Sequence, residues 1–152
     1  MLEMDILGVT FGEDPHPPVV FLRHGDRVLP IVVGHAEAQA IHIGLTAHDL
    51  GRPMTHDLVC NLLAGLRAEL KSVTIYKLEN ETFYAHLNVE QQSIDGQVEQ
   101  VLRIDSRPSD GIAIATRVGC PIFAAEEVME VAGQDVTNLG PPDEDEEDED
   151  NF

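Results

Sequence analysis

At 152 residues the chain is sized for one domain, and it contains no apolar run near the roughly 18 residues that a bilayer span requires. Its 28 acids against 9 Lys plus Arg give a formal charge of −19, and removing the unbroken acidic run of eight residues, Asp143 to Asp150, still leaves −11. That balance excludes a broad basic footprint for nucleic acid, so any work on a polyanion has to be local, through a few Arg side chains, helix ends or a bound cation.

The opening segment MLEMDILGVTF mixes apolar and polar positions with β-branched residues, and VVFLRHGDRVLPIVVG reads as two strands around a turn at His24, Gly25 and Asp26. Residues 35–48 are Ala-rich and place Ala36, Ala40, Ile43 and Ala47 at helical spacing, which predicts a helix. Gly51 and Pro53 end it. Thr55 is the expected cap of a second helix with an inner stripe of Leu58, Leu62, Leu63, Leu66 and Leu70. From Ser72 the period changes to two. VTIYKL, TFYAHLNVE and VEQVLRID predict a three-stranded meander, with its first turn at Glu79, Asn80 and Glu81. Pro108 suits the first turn of a third helix, and Gly119 its left-handed end. PIFA then reads as a short strand and EEVMEVA as a short helix. Beyond Gly133 apolar residues become sparse, so residues 1–133 are expected to form the domain and 134–152 a disordered acidic tail.

Cys60 and Cys120 lack CxxC spacing and sit among apolar residues, and no basic-then-apolar leader opens the chain. Buried free thiols in a soluble, cytoplasmic protein are the expectation.

Two segments share a vocabulary. RPMTHDL (52–58) and RPSDGIAIATRVGCPIF (107–123) each place Arg-Pro before a hydroxyl residue and an Asp where an apolar helical pattern begins. A helix N-terminus exposes free N–H groups and partial positive charge, so a neighbouring Arg makes it a natural phosphate seat. Together with LPIVVGHAEAQAI (29–41) and TFYAHL (82–87), in this order, these blocks resemble the bifunctional nuclease domain family over about residues 2–130. The family pattern usually has Ala at Gly111 and often a large apolar residue at Val32.

The resemblance implies an α/β fold of the α+β kind, with a mixed, largely antiparallel sheet and about three to four helices. It also implies cleavage of RNA and DNA, reported for some members. Phosphodiester hydrolysis needs an activated water, a clamp on the phosphate and neutralisation of the leaving oxygen, and carboxylate-held Mg²⁺ or Mn²⁺ can supply all three. Within the matching blocks, Glu37, Asp57, Asp105 and Asp110 are the candidate metal carboxylates. Glu37, His56, Asp57 and Asp110 are the candidate catalytic residues, and Arg52, Arg107 and Ser109 the candidate phosphate binders.

Each has a structural alternative. Asp57 and Asp110 would favour a helix N-terminus without catalysis, Thr55 and Ser109 or Ser106 would cap helices, and the two Arg would pair with Asp or cross a subunit contact. Among the seven histidines only His56 has a suggestive setting. His35 and His42 lie two turns apart, and His16, His24, His48 and His86 show no zinc-binding spacing. No GxSxG supports a nucleophilic serine. The second function consistent with these residues is a non-catalytic oligomeric binding or regulatory module. Self-association, a dimer first, is expected on either reading, since the meander leaves strand edges to cover. The acidic run is a solubilising extension, a docking segment for a basic partner, or a polyanion mimic that restrains the Arg-lined site.

Overall fold

In the computed structural model, which describes residues 1–136, one sheet of eight strands carries four helices. The opening segment forms β1 (Leu2–Thr10), and the hairpin follows as β2 (Val19–His24) and β3 (Arg27–Val32), turning at Gly25 with φ 59°. Two helices come next, α1 (His35–Thr46) and α2 (Thr55–Gly65). The meander is β4 (Ala68–Glu79), β5 (Thr82–Gln92) and β6 (Val98–Ser106). The chain continues through α3 (Pro108–Val118), β7 (Ile122–Ala124), α4 (Glu126–Ala132) and β8 (Gln134–Asp135).

The strand order is β6-β5-β4-β7-β1-β2-β3-β8, and every pairing is antiparallel except β4 with β7. The short β7 joins the two halves: Val73↔Ile122 fixes it beside β4, and Met4↔Ile122 beside β1. This is the α+β architecture expected from the sequence. On β4, Val73, Thr74 and Ile75 are all buried; successive strand residues face opposite ways, so both faces are covered there. The helix α3 lies on β4 and β5, with α1 and α2 against α3, while α4 packs on β4 and β3.

Several local expectations change. The meander begins at Ala68, four residues before Ser72. On α1 the buried residues are Ala38, Ala40 and Ile41; Ala36 is exposed, and Ala47 ends the helix at φ 51°. Of the expected α2 stripe, Leu58, Leu62 and Leu66 point outward, exposed at 51%, 56% and 59%, Leu63 packs against the core with Val59 and Cys60, and Leu70 lies buried on β4, beyond the end of the helix. Gln134 and Asp135, assigned above to the tail, pair with Val28 and Arg27 on the β3 edge. The run Asp143 to Asp150 lies outside the described residues. Both thiols are free and partly buried rather than fully so; burial raises Cys60 and pushes Cys120 up to about 11. Among the described residues no helix is long and apolar enough to cross a membrane.

Candidate active site

Three helix N-termini converge on one cleft. Glu37 is the third residue of α1, His56 the second of α2 and Asp110 the third of α3, and all three line a cavity of about 690 Å³ with Arg107, the residue that caps α3. Local sequence explains the starts. Gly34, Met54 and Arg107 adopt extended backbone before their helices, and Pro108, already fixed near helical φ and lacking an N–H, forms the first turn of α3. None of the three helices is capped by a hydroxyl. Thr55 lies inside α2, Ser106 Oγ donates to the Arg107 carbonyl at 2.8 Å, and Ser109 is buried, so the expected Ser/Thr caps are absent. The α2 start is closed instead by Asp57, whose Oδ2 accepts the Met54 N–H at 2.8 Å.

The polar side chains form a chain of contacts. Arg107 Nε donates to Asp110 Oδ2 at 2.9 Å, and its Nη2 reaches Asp110 Oδ1 and Glu37 Oε1, each at 3.3 Å. His56 Nε2 lies 2.9 Å from Asp110 Oδ1. Burial opposes ionisation of Asp110, but the hydrogen bonds from Arg107 and His56 outweigh it and hold the carboxyl below the usual range. An ionised carboxylate only accepts, so the proton in the His56–Asp110 contact sits on Nε2. The lone pair of a neutral His56 ring is then on Nδ1. The hydrogen bond that Arg107 donates to Asp110 also raises the Arg107 pKa, keeping it cationic.

Four expected site residues therefore meet: Glu37, His56, Arg107 and Asp110. The others do not join this contact network. Asp57 faces away from it, onto Arg117 at 2.7 Å, and the Met54 N–H with the Arg117 bond lowers its pKa. Asp105 borders the cleft, but its strand partner is His86, whose pKa burial and the charge of Arg103 lower while the charge of Asp105 opposes them. Arg52 is exposed beside Leu50 and Asn61 in a separate depression, and Ser109 is buried behind Arg107, lining another. Arg117 is the residue that sequence reasoning missed; its signal was only a basic residue in the last turn of a helix.

The carboxylates as they stand do not fit a divalent ion. Both oxygens of Asp110 and Oε1 of Glu37 accept from cationic or imidazole N–H groups, and among the described residues no three His, Cys, Asp or Glu side chains are grouped to hold a metal. What the arrangement offers is a base held in one tautomer by a carboxylate, beside a guanidinium and three helix N-termini. Each N-terminus carries about half a positive charge, which offsets the excess of two carboxylates over one Arg.

Residues 19–137 match the model of the Bifunctional nuclease domain family. Uncharacterized proteins from two strains of Mycobacterium tuberculosis are each 39% identical over 135 residues, covering 88% of this chain and 77% of theirs. Bifunctional nuclease 1 of Arabidopsis thaliana is 28% identical over 110 residues, 71% of this chain but 33% of that protein. The chain belongs to the bifunctional nuclease domain family.

Proposed function

We propose that this chain hydrolyses phosphodiester bonds of RNA and DNA, with little sequence preference, in the cleft between α1, α2 and α3. The observation that carries the reading is the His56–Asp110–Arg107 contact at the meeting of three helix N-termini, in a chain of this family. Arg107, 64% exposed, keeps its Nε bond to Asp110 and turns its Nη groups from Glu37 to phosphate oxygens. His56 Nδ1 accepts a proton from water as the water oxygen bonds to phosphorus. The P–O bond to the leaving oxygen breaks, and that oxygen is protonated from the imidazolium or from solvent. Sequence preference is low because backbone phosphate, rather than a base edge, is what these residues meet.

The Mg²⁺ or Mn²⁺ expected from sequence enters no step here, for the reason given by the donor set, and the experiment tests it directly. Nuclease-free, metal-stripped protein is incubated with end-labelled single-stranded RNA and DNA, with Mg²⁺, Mn²⁺ or chelator, beside His56→Gln. Cleavage that is lost in the folded His56→Gln protein supports the reading, and the chelator arm shows whether an ion takes part. Equal cleavage by both proteins places the activity elsewhere, and none by either removes it.

One observation favours the second reading, a non-catalytic oligomeric module: the exposed stripe Leu58, Leu62, Leu66 along α2 is an apolar face that another chain would cover.

A further inference from the structure

We infer that Arg117 is a positioning residue that sets the mutual placement of Glu37, His56 and Asp110. Its side chain is 9% exposed and touches none of the reacting positions proposed above. Instead, from the last turn of α3, it bonds back onto its own helix and across to α1 and α2, so that it ties together all three helices that carry them. Nε donates to Asp57 Oδ1 on α2 at 2.7 Å, and Nη1 donates to the Ala40 carbonyl of α1 at 3.0 Å and the Ala113 carbonyl of α3 at 2.7 Å.

The partners are not random points on those helices. Ala40 lies three residues after Glu37, Asp57 directly follows His56, and Ala113 lies three residues after Asp110. Each bond thus holds its helix within one turn of the site residue it carries. A flat fork with several fixed N–H directions meets three acceptors on three helices at once; a lysine in its place offers one nitrogen on a flexible stem.

The packing makes room for this head. A Cβ on Gly44 would clash with Thr116 Oγ1 and lie 2.9 Å from Arg117 Nη1, so α1 comes this close to α3 only because residue 44 is glycine. Among the described residues the buried Nη2 finds no acceptor. The guanidinium is thus held by the three helices rather than by satisfaction of all its own donors.

The inference rests on the cleft being the working site, and the test separates the two. The imidazole ¹⁵N resonances of His56 are compared in wild type, Asp110→Asn as the reference for a broken contact, Arg117→Lys and Gly44→Ala. Both Arg117→Lys and Gly44→Ala are expected to move His56 toward the Asp110→Asn position. His24, which donates to the Glu3 carbonyl at 2.8 Å, should stay in place. Unmoved His56 resonances in the folded variants overturn the inference. Should Arg117→Lys fail to fold, Gly44→Ala decides, since alanine is the better helix former and its Cβ crowds Arg117 Nη1 and Thr116 directly. In the cleavage assay a displacement of this kind should lower kcat by about 100-fold with KM little changed. Wild-type protein that cuts nothing removes the nuclease reading, while the His56 resonances still decide the role of Arg117.

Discussion

Replacing Asp110 by Asn is the sharpest perturbation of the cleft, because it keeps the shape and removes one charge. The carboxylate now accepts from His56 Nε2 at 2.9 Å and from Arg107 Nε at 2.9 Å. An amide has one accepting oxygen and one donating nitrogen, so it cannot serve both. Its oxygen stays with the permanently charged Arg107, and its NH₂ turns to the histidine. His56 then accepts at Nε2 and carries its proton on Nδ1, the atom that should take the proton from water. The equivalent exchange in a Ser-His-Asp triad costs about 10⁴ in kcat, and general-base catalysis as a whole about 10² to 10⁴. A loss of about 10³ or more is therefore expected for cleavage of end-labelled RNA, with melting by circular dichroism as the control. Stability should change little: Asp110 is 32% exposed and Arg107 64%, so solvent screening holds the pair to about 1 kcal/mol or less. The pH dependence is fixed in direction too. Asp110 titrates below its ordinary value of about 3.9, so the wild type's stability advantage over Asp110→Asn is full above that value and fades as pH falls through the lower folded one. Urea melts across that range check it. A folded Asn protein that cleaves at the wild-type rate, or an advantage that grows on acidification, would refute the reasoning.

Three further outcomes follow from the same geometry. Glu37→Gln removes a carboxylate that competes for Arg107 at 3.3 Å, so inorganic phosphate measured by calorimetry at low salt should bind up to about fivefold tighter, and weaker binding would contradict a phosphate role for Arg107. If the α2 stripe joins two chains, Leu62→Glu should reduce the mass seen by sedimentation to the 16.7 kDa of one chain, whereas a larger mass that persists puts the contact elsewhere. Gly111→Ala would bring a Cβ to 2.8 Å from Val73 Cγ1. The overpacking, about 1 to 3 kcal/mol, should exceed the helix gain of about 1. Trimming Val73 to Ala should reverse the sign in a double-mutant cycle.

What could be read from the sequence was whatever local chemistry decides. Pro108 and Gly119 bracket α3 because one cannot donate and the other accepts φ 76°, and neither depends on what surrounds the helix. The face of α2 was misread because leucine spacing reports an apolar stripe, not what covers it. Val59, Cys60 and Leu63 meet the core, and the more regular row of Leu58, Leu62 and Leu66 does not. The joining of hairpin and meander through β7 was also beyond reach, since three residues carry almost no periodicity and their two pairings are both long-range.

The two Arg-Pro segments show where site reading stops. Asp57 and Asp110 are each the third residue of a helix, in nearly the same words, yet one closes its own helix start and the other meets His56 from a different helix. Neighbouring helix positions differ by about 100° in direction, so His56 and Asp57 meet opposite ends of α3, Asp110 in its first turn and Arg117 in its last, and which of the two faces the cleft depends on how the helices pack. That packing is recorded in the positions of Gly44 and Arg117, which in sequence read as an ordinary small residue and a basic helix end. The carboxylates and the histidine named the chemistry, and the residues that decide which of them meet, Gly44 and Arg117, lie about two turns along the helices from Glu37 and Asp110.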